Sequence, residues 1–220
     1  KSRHAGLPVF LLGHSAGGVT SCLYVLDHPT ELAGFVCESF AFQVPAPDFA
    51  LAALKGLSHL APHAHVVALK NEDFSRDPAV VAAMNADPLI AHETQPTQTM
   101  AELARADERL KKEFSTITLP LLILHGSADK ATKPSGSKAF HEAAGSKDKT
   151  LKIYEGHVHD LLNDLCHVAH ISTWALVIAA TVDPATCGVI AGSSSTPPDR
   201  TEDPPPGPTC PFATGRRRSS

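Results

Sequence analysis

The chain has 220 residues, 43% of them hydrophobic and 19% charged, with a formal charge of −4. This is the composition of a globular protein with enough apolar residues for one sizeable core, and it excludes the basic field by which proteins hold nucleic acid or anionic membrane. No unbroken apolar run reaches the roughly eighteen residues of a spanning helix, and "VFLL" near the start is too short for a secretory h-region.

In chain order, "LPVFLLGHS" is a short apolar run that predicts a strand buried on both faces. "AGGVTSCLYVLDH" predicts a helix stopped by Pro29. "ELAGFVCESF" and "LPLLILHGSAD" predict a second and a third strand. "SGSKAFHEAAG", with serine before it and glycine after it, predicts a short serine-capped helix. "KTLKIYEGHVHD" predicts a fourth strand ending in a loop. Strands alternating with helices predict an α/β fold on a partial parallel sheet with flanking helices.

Residues 40–117 break that rhythm. They are rich in alanine and leucine, with prolines at 45, 47, 62, 78, 88 and 96. A structureless loop of that length is improbable in a compact domain, so a mostly helical lid over the carboxyl ends of the strands is expected. The core is then expected in residues 1–39 and 118–182. From 183 to 220 the composition changes: eight of the eighteen prolines fall between Pro184 and Pro211, and the end reads "GRRRSS". Such a tail is expected to be disordered.

The five cysteines, Cys22, Cys37, Cys166, Cys187 and Cys210, form no C-x-x-C pair and leave one over in any disulfide scheme. Small buried thiols in a reducing, cytoplasmic compartment are expected. Two histidine groups raise the question of metal: His59, His63 and His65, and His157, His159 and Asp160. Pro62 interrupts the first as a helix, and neither has a zinc-site spacing, so no metal is expected.

The chemistry concentrates at Gly13-His14-Ser15-Ala16-Gly17, a G-x-S-x-G between a predicted strand and a predicted helix. In such an elbow the serine backbone is strained so that its hydroxyl projects from the strand end. Gly13 and Gly17 are expected to be glycine because side chains would collide in the turn, and Gly18 so that the helix approaches the sheet. The N–H of Ala16, at the helix start, is an expected oxyanion donor. A serine needs a base and an orienting acid, in this fold in the order Ser, Asp or Glu, His. Asp129 follows the third strand, where a loop carboxylate belongs. After the fourth strand His159 competes with His157 for the base, and Asp160 with Asp129 for the acid, although adjacency to His159 makes the Asp160 geometry awkward. His125 follows the wrong strand for an oxyanion "HG" pair and reads as structural.

The stretches "GHSAGG", "FSRDPAVVAAMNADPLI", "LPLLILHGSADKATKPSGS" and "DKTLKIYEGHVHDLLND" resemble the monoglyceride lipase and lysophospholipase group of α/β-hydrolases, the serine aminopeptidase S33-like hydrolases, from Leu7 to Asp164. The family pattern G-x-x-H-D-L-L falls on Gly156 to Leu162. The resemblance thus implies His159 as base, Ser15 as nucleophile and Asp129 as orienting acid, in a hydrolase of glycerol or other carboxylic esters that uses an acyl-serine and no cofactor.

Two departures shape the expectations. The family's "HGxGEH"-like loop, which supplies a second oxyanion donor, does not precede Ser15, and Lys1 rather than methionine stands first. The chain is therefore expected to correspond to the second half of such a hydrolase, with an exposed sheet edge through which it self-associates. Past Asp164, "LCHVAHISTWALVIAATV" leaves the family pattern, as a shifted frame or a fusion junction would. A serine esterase or lipase is the expected function, with a small ester or lipid as substrate. The alternatives are a weakly active or non-catalytic remnant, and a chain completed by a partner.

Overall fold

The computed structural model describes residues 7–43, 47–90 and 94–164. Its elements in chain order are β1 (Phe10–His14), α1 (Ala16–Asp27), β2 (Gly34–Glu38), α2 (Asp48–Leu60), β3 (His65–Ala68), α3 (Pro78–Ala86), β4 (Thr94–Pro96), α4 (Thr97–Glu113), β5 (Leu121–Gly126), α5 (Pro134–Ala143) and β6 (Lys149–Tyr154). The tail, the last part of the expected core and Cys166, Cys187 and Cys210 lie outside the described residues.

β1, β2, β5 and β6 form one parallel sheet in the order β1-β2-β5-β6, with Leu12 opposite Val36, Val36 opposite Leu122 and Leu122 opposite Thr150. The four predicted strands are these four. Every residue of β2 and of β5 is buried, as their unbroken apolar runs require. β1 differs from expectation. It pairs only with β2 among the described residues, and Leu12 is 54% exposed. Burial on both faces therefore holds for the two inner strands and not for β1, an edge of the sheet that the described residues form.

α1 buries Gly18, Val19, Cys22 and Val25, one stripe at helical spacing, against Phe35 and Cys37 of β2. On the same core stand Leu110 of α4, Phe114, Ile117 and Phe140 of α5. Phe114 and Phe140 pack with ring centroids 4.7 Å apart, and Phe40 meets Phe140 at 5.0 Å. Cys22 and Cys37 are free, fully buried thiols, and burial pushes both well up from the usual range. α5 departs from its expected serine cap: Lys133 precedes it, Pro134 is its first residue, and Ser137 faces inward.

The stretch 40–117 is less separate than expected. Phe40 and Phe42 are buried in the main core, as are Ala106, Leu110, Phe114 and Ile117 at its other end. The reason is the helical face of α4, which presents Ala106 and Leu110 to α1 and so closes the sheet. What stands apart is residues 48–96. There α2 lies on α4, and within a stretch that is mostly helical, as expected, β3 and β4 form a short antiparallel ribbon. The Lys55–Glu108 ion pair joins α2 to α4. Outward, α2 shows Phe49 (79% exposed), Leu57 (42%) and Leu60 (86%), spaced so that they share one face.

Candidate active site

Parallel strands deliver their loops to one edge of the sheet, and all the expected site residues follow strand ends there. Ser15, directly after β1, has φ 55° and ψ −125°, a conformation a non-glycine residue adopts at a cost of about 1–3 kcal/mol. The surroundings enforce it. Its N–H donates to the Glu38 carbonyl at 2.9 Å, and its carbonyl accepts from Gly18 at 2.9 Å and Ala41 at 3.3 Å. A β-carbon at Gly13 would stand 2.6 Å from the Gly17 carbonyl oxygen, so glycine is required there. The same requirement fails at Gly17, where a β-carbon would meet open space; that expectation is corrected. Gly18 is tight as expected: a β-carbon there would stand 3.1 Å from the Cys37 sulfur. Ala16 is the first residue of α1, so its N–H has no partner within the helix and points out of the helix start.

Asp129 lies in the loop after β5, its side chain fully buried. Its Oδ2 accepts from His159 Nδ1 at 2.8 Å, Thr132 Oγ1 at 2.8 Å and His125 Nε2 at 3.1 Å. Its Oδ1 accepts the N–H groups of Ala131 at 2.8 Å and Thr132 at 2.9 Å. Burial pushes this carboxyl up, but the hydrogen bonds of His125 and His159, with the His159 charge and the Thr132 amide, outweigh it and hold the group well below the usual carboxylate range. A carboxylate can only accept, so Nδ1 of His159 carries a proton, and in the neutral form of the ring it is Nε2 that keeps the lone pair. That Nε2 is buried without a hydrogen-bond partner among the described residues, Ser15 Oγ included.

The structure brings His159 and Asp129 together and separates the competitors. His157 turns away to Asp164, with Nδ1 3.1 Å from Oδ2. Asp160 accepts from the amides of Leu162 and Asn163, each at 3.2 Å. His125, read as structural, reaches Asp129 with Nε2 from the end of β5, while its Nδ1 is 2.7 Å from Ser137 Oγ. Phe74 sets the edge of its ring against His159 at 4.9 Å, from within the stretch expected to form a lid.

Two groups escaped the sequence reading. His14, the variable residue of the motif before Ser15, stands 4.8 Å from the His159 ring and 3.2 Å from Glu38 Oε2. Glu38 is 1% exposed. The only signal for it was a glutamate inside an otherwise apolar strand. Among the described residues no three His, Cys, Asp or Glu side chains converge as a metal site would require, and no helix is long and apolar enough to cross a membrane.

A parallel sheet flanked by helices, with a strained serine at one strand end and an Asp–His pair at two others, is the arrangement of an α/β-hydrolase. The chain belongs to the serine aminopeptidase S33 family, whose sequence pattern matches residues 1–166. It is 35% identical to human monoglyceride lipase over 190 residues, which cover 83% of this chain and 63% of the human one. To the rat monoglyceride lipase it is 35% identical over 176 residues, 76% of this chain and 58% of the rat one. The crystal structure of the Paleococcus ferrophilus monoacylglycerol lipase superposes with a TM-score of 0.68 at 30% identity, over 79% of this chain and 67% of that one. The chain spans about three fifths of the length of the curated relatives it matches.

The His14–Glu38 pair gives a testable pH dependence. Burial pulls the His14 pKa down, while the hydrogen bond and charge of Glu38, with Asp160 and Asp129 further off, raise it; the net direction is up. A raised folded value means that the stabilisation is complete below the unfolded value of about 6.5 and is lost as the pH rises through the folded value. His14→Gln is expected to destabilise the fold more at about pH 5.5 than at about pH 9, as read from urea unfolding at each pH. With the His14 side chain 34% exposed, the difference should be about 1 kcal/mol or less. An equal cost at both would show that the ion pair contributes nothing.

Proposed function

We propose that the chain is a serine hydrolase of carboxylic esters, acting on monoacylglycerols, lysophospholipids or short-chain esters through an acyl-serine. Ser15 is the nucleophile, His159 the base, Asp129 the group that fixes the tautomer of His159, and the Ala16 N–H an oxyanion donor. The observation that carries this reading is the His159–Asp129 bond at 2.8 Å, which leaves the buried Nε2 as a lone-pair acceptor with no other partner. The monoglyceride lipase names of the relatives support the substrate class.

In the proposed reaction Nε2 of His159 takes the Ser15 hydroxyl proton as Oγ bonds to the ester carbonyl carbon. The carbonyl oxygen becomes an oxyanion facing the Ala16 amide. The alcohol leaves with the proton from Nε2, and water, deprotonated by the same nitrogen, releases the acid. The ionised Asp129 stabilises the imidazolium at both proton transfers. No metal or organic cofactor takes part. The free thiols Cys22 and Cys37 fit the cytoplasmic setting expected from cysteine usage.

Ser15→Ala is expected to abolish hydrolysis of p-nitrophenyl esters and labelling by a fluorophosphonate probe. Asp129→Asn is expected to lower kcat by about 10⁴-fold through the wrong tautomer, the loss seen in comparable triads. His157→Ala should keep most activity, and EDTA should change nothing. Loss from His157→Ala with none from His159→Ala would reverse the assignment.

We read residues 48–96, narrower than the expected 40–117, as a cover that sets acyl specificity. Phe74 against His159 supports it. Leu57→Ser is expected to change the ratio of activity on long to short acyl esters by about tenfold, the worth of one to two buried methylenes. An unchanged ratio there and at Leu54 would make these residues packing alone.

We extend the reading to self-association through β1, whose outer edge pairs with no strand among the described residues and lies beside the exposed Leu12. Sedimentation should show a dimer or larger species that Leu12→Lys shifts toward monomer. A stable monomer across the concentration range would remove this part.

A further inference from the structure

The loop that carries His159 has a long way to go. β6 and β1 lie at opposite edges of the sheet, three strand spacings or about 14 Å apart. Yet the His159 ring stands 4.8 Å from His14, the residue before Ser15. The loop must therefore run back over the ends of β5 and β2, and something must hold it there.

At β5 it lies directly on Gly126, where a β-carbon would stand 2.3 Å from the carbonyl oxygens of His157 and Val158. At β2 two successive residues grip it. Ser39 Oγ donates to the His159 carbonyl at 2.5 Å, and Glu38 Oε1 accepts the Leu161 N–H at 2.9 Å. Glu38 also reaches the other way. Its Oε2 is 3.2 Å from His14 Nδ1, and its backbone carbonyl accepts the Ser15 N–H at 2.9 Å.

A glutamate 1% exposed at the end of a fully buried strand is uncommon, because burial penalises an ionised carboxylate unless each oxygen is satisfied. An apolar residue would fill the space as Val36 does. The bland account is a buried ion pair of local packing value only. Against it stands where the two oxygens end: one on the segment that carries the base, the other on the motif that carries the nucleophile.

We propose that Glu38 is a positioning residue that sets the register between the His159 loop and the Ser15 turn. The inference rests on the hydrolase reading and deepens it. Glu38 touches neither the reacting atoms nor the substrate; it acts through Leu161 and His14 on where Nε2 of His159 lies relative to Ser15 Oγ.

The test uses the full chain with Glu38→Gln. The amide keeps the size, and its oxygen can still accept from Leu161, but its NH₂ group cannot accept from His14. The rate of fluorophosphonate labelling and kcat for p-nitrophenyl acetate should both fall about 10- to 100-fold, with KM within about twofold, because a misplacement near 1 Å costs reacting geometry rather than binding. His14→Asn cuts the same link from the other side and carries the test if Glu38→Gln does not fold. The double variant should lose no more than the worse single one, since both break one unit. Val25→Ala, a core truncation in α1, is the control for stability: it should lower Tm yet label at the wild-type rate well below the transition. Labelling of Glu38→Gln at the wild-type rate, or a loss confined to KM, would overturn the proposal while leaving the hydrolase reading intact. A wild-type chain whose Ser15 is not labelled at all would overturn both.

Discussion

One carboxylate oxygen, Oδ2 of Asp129, is the point on which the buried polar part of this molecule depends. An ionised carboxyl with no exposed side-chain surface is tolerable only when donors replace its lost water, and here two imidazoles, a hydroxyl and two amides do so. Those donors come from β5, from the loop that follows it and from the loop after β6. Ser137 of α5 joins through His125. Satisfying one charge thus fixes the relative placement of three segments. The same arithmetic of donors and acceptors decides the tautomer of His159, which electron density alone rarely reveals.

The apolar framework underneath makes that placement possible. β2 and β5, buried on both faces, leave the sheet no freedom to slide, since a register shift would expose their side chains or bury polar ones. Phe40, Phe42, Phe114 and Phe140 fill the space between sheet and helices on one side; the first three arrive from the two ends of the long stretch between β2 and β5, and Phe140 from α5. That stretch is consequently anchored in the core at its beginning and its end.

The four core strands, α1, α5 and the serine turn were legible because each rests on a local signal: an unbroken apolar run, helical spacing, or glycine beside serine. The placement of Ser15, Asp129 and His159 at strand ends was legible from their positions after apolar runs, and the Asp129–His159 bond joins two of them. Much of the rest was not. β3 and β4 are four- and three-residue segments with no buried residue, so they carry no apolar period. Phe40 and Phe42 sit beyond the end of β2 with nothing in sequence to tell core from cover. Gly17 is a glycine that the fold does not sterically require, which a motif alone cannot reveal. His125 and Ser137 meet through tertiary packing, and no spacing announces it. Glu38 was the missed opportunity: a charge amid "GFVCESF" contradicts the apolar pattern around it, and such contradictions collect at functional sites.

Phe74, Ser75 and Arg76 have a consequence for how the molecule can move. The Phe74 carbonyl accepts the Asp160 N–H at 2.8 Å, Ser75 Oγ donates to the Asn163 carbonyl at 2.9 Å, and Arg76 Nε meets both oxygens of the buried Asp164 at 2.9 and 2.8 Å. These bonds tie the middle of the 48–96 stretch to the very loop that holds His159. A swing of the whole stretch as one door would drag His159 with it. An opening that left His159 in place would therefore have to leave residues 74–76 standing still, as its fulcrum.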